Sequence, residues 1–187
     1  LILMNNSVNW LIYKGINIFK SKTSLSIFNL LTNNNDIIHI CPNLYLGNIK
    51  SAHNPKLLEE FDINSVVNCT KDIPNHDYFI MKKSFRIDIE DSKDLENINE
   101  FKSSIINATL FIDEQIKNNN NVIIHCYWGL MRSPTVVASY LIYKYDMDVE
   151  SAVELIKDKK NFSFHNLYNF KEILYYVKKE IDSYVRV

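Results

Sequence analysis

The chain has 187 residues, 47% of them hydrophobic, and a formal net charge of −1. This length and composition suit a single domain with an adequate core, and the near-neutral charge gives no global attraction to nucleic acid or membrane. No apolar run is long enough to span a bilayer, and basic residues follow the first apolar stretch rather than precede it, so we expect no signal peptide. Three cysteines without a disulfide-framework spacing indicate a reducing compartment such as the cytoplasm.

Residues 1–36 are predicted to form an N-terminal helical extension. They contain three lysines and no acidic residue before Asp36, and apolar side chains such as Trp10 and Phe19 recur at roughly helical spacing. This pattern favours a helix that packs on the following domain or on a second copy of the chain, giving a homodimer. A basic amphipathic helix lying on a membrane surface is the alternative.

Residues 37–187 alternate between short apolar runs and helical patterns, which is typical of an α/β domain. The predicted strands are residues 37–40, 44–46, 66–69, 79–81, 85–89 and 122–125. The predicted helices begin at Asn54-Pro55, cover residues 101–112 and 135–145, follow the cap Asp148, and carry an apolar stripe through residues 167–181. The long helix that feeds back into the strand at Val122 predicts a βαβ crossover. We therefore expect a central, mostly parallel twisted sheet flanked by helices.

The segment 122–134, Val-Ile-Ile-His-Cys-Tyr-Trp-Gly-Leu-Met-Arg-Ser-Pro, places a thiol and a guanidinium on either side of a short loop. It joins a buried strand to a helix whose first turn contains Pro134. The backbone N–H groups of residues 127–132 can converge on a phosphate at the helix N-terminus, where the helix dipole is positive. Gly129 allows the backbone to turn inward. The segment therefore predicts an anion-binding loop.

Within this loop Cys126 is the candidate nucleophile, because the loop amides, the helix dipole and Arg132 all favour a thiolate. The planar guanidinium of Arg132 can hold two phosphate oxygens at once, which a lysine ammonium does less well. Ser133 can donate its hydroxyl to the sulfur as the sulfur leaves. His125 is expected to support the loop through hydrogen bonds rather than to act as a base.

The motif His-Cys-x-x-Gly-x-x-Arg-Ser resembles the signature of the Cys-based protein tyrosine phosphatase superfamily. The continuation Arg-Ser-Pro-Thr135, the segment 41–48 (Cys-Pro-Asn-Leu-Tyr-Leu-Gly-Asn) and the helix-strand segment 58–70 resemble its compact dual-specificity branch. The resemblance covers about residues 37–180. It implies a protein tyrosine phosphatase-like catalytic domain at 37–187 that hydrolyses phosphotyrosine, phosphoserine and phosphothreonine in phosphoproteins through a cysteinyl-phosphate, with no cofactor or metal.

The resemblance also implies a general acid, since the family supplies an aspartate from a loop some thirty-odd residues before the cysteine. The segment 85–92, Phe-Arg-Ile-Asp-Ile-Glu-Asp-Ser, matches that loop and places Asp91 at the acid position. Asp88 and Asp94 are competing candidates. A carboxylic acid near a bound dianion is kept protonated by like-charge repulsion, which suits it to protonate the leaving oxygen.

The remaining loop residues are expected to bind the substrate. Tyr127, Trp128, Gly129 and Leu130 lie with Met131 and Arg132 between the strand and the helix. Most relatives carry a small residue where this chain has Met131, so we expect its side chain to narrow or reshape the mouth. Tyr127 and Trp128 either line the entrance or pack against the domain.

Two other functions fit the same loop. One is hydrolysis of a phosphoinositide or an RNA 5′-triphosphate. The loop lacks the lysine that lipid-directed relatives often carry, and Ser133-Pro134 replaces the Thr-Gly common in the RNA-directed branch. The other is a pseudophosphatase that binds phosphoproteins without turnover, although Cys126, Arg132 and an acid candidate are all present. A regulatory disulfide from Cys41 or Cys69 to Cys126 is a lesser alternative to simple packing.

Overall fold

The structure is a computed structural model that describes residues 37–90, 95–164 and 168–185. The predicted N-terminal extension, residues 1–36, lies outside the described residues, as do Asp91 and Asp94. The homodimer and membrane-surface hypotheses for the extension therefore stay predictions.

A five-stranded sheet forms the centre of the domain, in the strand order β1-β2-β5-β3-β4. The strands are β1 (Ile37–Cys41), β2 (Leu44–Gly47), β3 (Ile63–Asn68), β4 (Lys83–Arg86) and β5 (Asn121–His125). The β1-β2 pair is antiparallel, whereas β5 runs parallel to both of its neighbours and β3 parallel to β4. The predicted mostly parallel sheet is confirmed, and its central strand is the one that leads to Cys126.

Helices cover both faces of this sheet. They are α1 (Ile49–Ala52), α2 (Pro55–Glu60), α3 (Leu95–Lys117), α4 (Arg132–Tyr145), α5 (Val149–Lys159) and α6 (Tyr168–Val185). The caps that the sequence indicates are formed, because the side chains of Asn54 and Asp148 accept bonds from the first-turn amides of α2 and α5. Helix α4 begins at Arg132, earlier than the predicted start at residue 135.

The core has two parts because successive side chains of a strand point to opposite faces. Val122 and Ile124 of β5 contribute to the larger cluster, together with residues of α3, α4, α5 and α6. Ile123 lies in the smaller cluster with Leu58 of α2 and with Phe79. All three β5 residues are fully buried. The strand is thus held on both faces, which fixes the position of the loop that follows it.

The prediction of a strand at residues 79–81 is wrong. A 3₁₀-helix, Asp77–Phe79, stands there instead, and Nδ1 of His76 accepts a bond from the Tyr78 amide at its start. Only Phe79 is buried, while Ile80 and Met81 are 73% and 94% exposed. The next strand is also displaced, because β4 ends at Arg86 rather than at Ile89. The residues after Arg86 leave the sheet and approach the loop described below.

Candidate active site

The loop 126–131 connects the end of β5 to the start of α4. In a parallel sheet the strand ends of neighbouring strands meet at one edge, where open α/β sheets bind their ligands. Asn68 pairs with His125 across the β3-β5 ladder, and Gly47 pairs with His125 across the β2-β5 ladder. The loop therefore emerges between the ends of β2 and β3.

Three backbone carbonyls in and next to this loop accept hydrogen bonds from segments outside it. The Cys69 amide donates to the His125 carbonyl at 2.8 Å, and the Ile49 amide donates to the Tyr127 carbonyl at 3.2 Å. The Phe164 amide donates to the Leu130 carbonyl at 2.8 Å. A carbonyl that points outward leaves the amides of a tight loop to face its centre, as in other anion-binding nests. The Gly129 amide faces inward in this way, because it donates to the Sγ atom of Cys126 at 3.2 Å.

The Cys126 sulfur accepts two hydrogen bonds within the loop. Besides the Gly129 amide, the Ser133 hydroxyl donates to Sγ, also at 3.2 Å. Cys126 is 2% exposed and Ser133 is fully buried. Donors aimed at a sulfur in a water-poor site stabilise its negative charge more than they would in water. This geometry suits a thiolate nucleophile.

Arg132 is the first residue of α4 and is only 6% exposed. Its guanidinium donates from one terminal nitrogen to the backbone oxygen of Ile89 at 3.3 Å. This bond ties the phosphate loop to the segment just before Asp91. Of the three acid candidates, only Asp88 lies within the described residues, and its side chain is exposed.

Gly129 adopts a left-handed backbone conformation with φ of 68°. A methyl group built on it would lie 2.5 Å from the Gly47 carbonyl oxygen and 2.8 Å from the Lys160 ammonium nitrogen. Both distances are too short for a real side chain, so glycine is required here by backbone angle and by space. Gly47 is also closely packed, although only by side chains, since a methyl group on it would lie 2.6 Å from the Ser51 hydroxyl oxygen.

His125 is 1% exposed and lies beside His53, whose ring centroid is 6.4 Å from its own. Burial, and after it the neighbouring His53, lowers the pKa of His125 to about 3, so the imidazole is uncharged at neutral pH. Within the described part of the chain its buried Nδ1 has no hydrogen-bond partner. Burial likewise lowers the pKa of His53, with His76 contributing.

Comparison with known proteins gives the family. The family profile "Dual specificity phosphatase, catalytic domain" matches residues 44–180. The chain belongs to the dual specificity phosphatase family. Human dual specificity protein phosphatase 6 is 36% identical over 135 residues, a match that covers 68% of this chain and 34% of the human protein. The chain thus spans about a third of the length of that relative. Dual specificity protein phosphatase 1B of Arabidopsis thaliana is 27% identical over 139 residues, covering 73% of this chain and 79% of the plant protein.

A solved structure agrees with this assignment at the level of the fold. The crystal structure of human DUSP28 superimposes with a TM-score of 0.70 at 15% identity, covering 79% of this chain and 95% of the human one. The predicted resemblance and the protein tyrosine phosphatase-like fold are confirmed.

The expectation that Met131 reshapes the mouth does not match the structure. The Met131 side chain is 7% exposed and packs in the larger core cluster, because the backbone has turned into the first residues of α4 there. Only its backbone is available to a ligand. Leu130 is half-buried and also packs against this cluster.

Tyr127 is the exposed side chain of the loop, and it lies against Trp128. Tyr127 is 42% exposed, and its ring meets the half-buried Trp128 ring edge-to-face with centroids 4.4 Å apart. Aromatic pairs in this geometry attract each other, which steadies both rings. The two rings therefore pack against each other, and their role at the entrance stays a prediction.

Two supports of the loop were not predicted. The Asn48 side chain caps α1 by accepting from the Ser51 amide, and the Ser51 hydroxyl accepts from the Asn48 amide, which forms a capping box. This box sets the amide of Ile49 against the loop. In the sequence, Asn48 followed three residues later by the hydroxyl residue Ser51 is the pattern that could have predicted this capping box. The second support, Lys160, lies in a lysine run that looks like a solvated surface.

The three cysteines are free thiols. Burial raises the pKa of the fully buried Cys69 well above its usual value, and burial also raises that of Cys41. Both therefore behave as packed thiols at neutral pH. Among the described residues, no group of His, Cys, Asp and Glu side chains is arranged to bind a metal, and no helix is long and apolar enough to cross a membrane.

Proposed function

We propose that this protein is a dual-specificity phosphatase that removes phosphate from phosphotyrosine and from phosphoserine or phosphothreonine in proteins. The observation that carries the proposal is the convergence of the Gly129 amide and the Ser133 hydroxyl on the Cys126 sulfur. Arg132 stands in the same loop, at the N-terminus of α4. Membership of the dual specificity phosphatase family supports the same reaction.

In the first step the Cys126 thiolate attacks phosphorus, a P–S bond forms and the P–O bond to the substrate side chain breaks. Asp91 gives its proton to the departing oxygen, which leaves as a hydroxyl group. The inward amides of the loop and the Arg132 guanidinium bind the three equatorial oxygens, whose charge is spread in the transition state. The bond from Arg132 to the Ile89 carbonyl supports this assignment, since Ile89 lies only two residues before Asp91 in the chain.

In the second step a water attacks the cysteinyl-phosphate. The Asp91 carboxylate takes a proton from that water, the P–S bond breaks, and inorganic phosphate and the thiolate are released. The Ser133 hydroxyl, 3.2 Å from Sγ, donates to the returning sulfur and lowers the energy of the leaving thiolate. His125, uncharged because its pKa is lowered to about 3, serves as loop support rather than as the base.

We assign phosphate binding to the backbone of residues 127–132 and contact with the peptide to the exposed Tyr127 and its neighbour Trp128. Amides bind phosphate without regard to the residue that carries it, which fits action on both classes of phosphoester. A nucleophile that works as a thiolate requires a reducing compartment, for which we propose the cytoplasm.

The test is a phosphatase assay on matched phosphotyrosine, phosphoserine and phosphothreonine peptides, with an inositol lipid and a 5′-triphosphate RNA as competing substrates. Wild type is expected to release phosphate from the peptides. Cys126→Ser is expected to release none. Asp91→Asn should lower kcat on the phosphoserine peptide by about a hundredfold, since a positioned acid contributes that much. Asp88→Asn, an exposed neighbour, is the matched control.

Release from the lipid or the RNA but not from peptides would move the protein to a different substrate class. Persistence of activity in Cys126→Ser would remove the nucleophile assignment. Tight binding of the phosphopeptides by wild type without any turnover would make the protein a pseudophosphatase. A larger loss in Asp88→Asn than in Asp91→Asn would reassign the acid.

A further inference from the structure

One side chain of β4 holds three backbone carbonyls of the loop that follows β3. Arg86, the last residue of β4, donates from its Nη1 atom to the carbonyls of Thr70 and Lys71, both at 3.0 Å. Its Nη2 atom donates to the Ile73 carbonyl at 2.7 Å. A guanidinium can bind several acceptors at once because its N–H groups form a rigid planar fork, which a lysine ammonium lacks. Arg86 therefore fixes residues 70–73 to the end of β4.

The segment that leaves β4, residues 87–90, is held from the same side. At its start, the Ile87 amide donates to the Asn68 carbonyl at 2.9 Å, where β3 ends. At its end, the Lys71 ammonium lies 3.2 Å from a carboxylate oxygen of Glu90. The hydrogen bond to Glu90 is the main reason why the pKa of Lys71 is raised. Segment 87–90 is thus held at both ends, and Lys71 itself is kept in place through its carbonyl by the bond from β4.

Segment 87–90 also contacts the residue that begins α4. The Ile89 carbonyl accepts a hydrogen bond from the Arg132 guanidinium at 3.3 Å. Ile87 and Ile89 are both buried in the larger core cluster, so the backbone between them has little freedom to move. A long side chain that is already held in place loses less freedom when a ligand binds. This saving is equivalent to roughly twofold to tenfold in affinity for one side chain.

We infer that Arg86 and Lys71 are positioning residues for Arg132. They hold segment 87–90 so that the Ile89 carbonyl orients the guanidinium for the bound phosphate. Both lie outside the signature motif, and neither is a ligand of the phosphate in this role. The inference rests on the proposed function in one respect, which is that Arg132 binds phosphate.

The test uses tungstate, a tetrahedral dianion that resembles phosphate, titrated calorimetrically into the full chain. Arg86→Lys keeps the charge but loses the planar fork, and should raise the Kd for tungstate by about three- to tenfold. Glu90→Gln breaks an ion pair whose side chains are about half exposed, and should raise the Kd by about two- to fivefold. Loss of a negative charge would by itself tighten the binding of a dianion. Glu90→Gln therefore separates positioning from general charge.

Two further variants serve as controls. Lys71→Arg keeps the ion pair with Glu90 and should bind tungstate as wild type does. Lys83→Met removes an exposed lysine from the start of β4, about 10 Å from Arg86 along the strand, and should change the Kd by less than about 1.5-fold. All titrations are made at a temperature where thermal unfolding shows the variants to be folded, so that a loss of stability alone does not change the Kd.

Three outcomes would overturn the inference. The first is wild-type affinity in Arg86→Lys. The second is tighter binding in Glu90→Gln, which would mean that surface charge rather than position decides the affinity. The third is a loss in Lys83→Met as large as the loss in Glu90→Gln. If Arg86→Lys does not fold, Lys71→Met takes its place, with Lys71→Arg as its matched variant.

The binding measurement separates this inference from the proposed reaction. Tungstate binding that depends on Arg86 and Glu90 in a protein with no phosphatase turnover would leave the inference standing and refute the proposed function. Turnover in wild type together with unchanged tungstate binding in Arg86→Lys and Glu90→Gln would refute only the inference. Absence of tungstate binding in wild type would overturn it as well.

Discussion

The uncharged His125 makes the stability of this domain depend on pH in a window that the structure sets. The ordinary histidine pKa is about 6.5, whereas in the folded protein the pKa of His125 is lowered to about 3. Between these values the unfolded chain binds a proton that the folded protein does not. The stabilisation is therefore complete above about pH 6.5 and is lost as the pH falls toward 3.

The size of the effect follows from the two pKa values. At pH 5 the unfolded state gains about 2 kcal/mol from protonating this one residue, and at pH 7.5 it gains almost nothing. His53 acts in the same direction, because its pKa is also lowered. The lowered pKa values of Asp113, Asp148 and Glu150 act mainly below pH 4.5 and so outside this comparison.

Urea unfolding at pH 7.5 and pH 5 measures this effect for wild type and His125→Asn. We expect the free energy of unfolding of wild type to fall by about 2 kcal/mol more than that of the variant over this interval. His39→Asn, at an exposed position in β1, is the control and should follow wild type. Parallel pH dependence in wild type and His125→Asn would refute the reasoning, even if the variant is less stable at both pH values.

Two further predictions concern the phosphate loop. In Gly129→Ala the added methyl group would lie 2.5 Å from the Gly47 oxygen, on a backbone in the left-handed conformation. We therefore expect the free energy of unfolding in urea to fall by roughly 1–3 kcal/mol and kcat/KM for an aryl phosphate to fall about tenfold or more. Wild-type kinetics in this variant would contradict the prediction. Met131→Ala should lower the free energy of unfolding by about 2–5 kcal/mol through loss of core packing. The same variant should leave KM for the aryl phosphate nearly unchanged. An altered KM at wild-type stability would show that the Met131 side chain lines the mouth of the loop.

The sequence was a good guide where local pattern and tertiary packing agree. The run from Val122 to Ile124 is apolar on both faces, and the central strand β5 needs both faces buried. The strand predicted at residues 79–81 is wrong because an apolar run in the sequence does not show which of its side chains will reach the core. His76 caps a 3₁₀-helix there and only Phe79 reaches the core.

In the candidate site, too, the sequence predicts what depends on local pattern and misses what depends on tertiary packing. Cys126, Gly129 and Arg132 could be predicted as neighbours because they lie within seven residues of one another, in a single loop and the helix start that follows it. The inward direction of Met131 depends on the turn into α4, which spacing does not reveal. Lys160 resembles its exposed neighbour Lys159 in sequence, and only the fold brings it beside Gly129. A single sequence does not reveal which residues of distant segments lie next to the site.

The three amides that hold the loop from outside have a consequence for how the loop loses its shape. They belong to segments after β2, after β3 and after α5, which are far apart along the chain. The loop can keep its carbonyls outward only while all of these segments are folded. Partial unfolding at any of them would release a carbonyl toward the site and replace attraction for phosphate with repulsion. The phosphate binding proposed for this domain therefore depends on the whole folded unit, and we expect the proposed activity to be lost on local opening as well as on global unfolding.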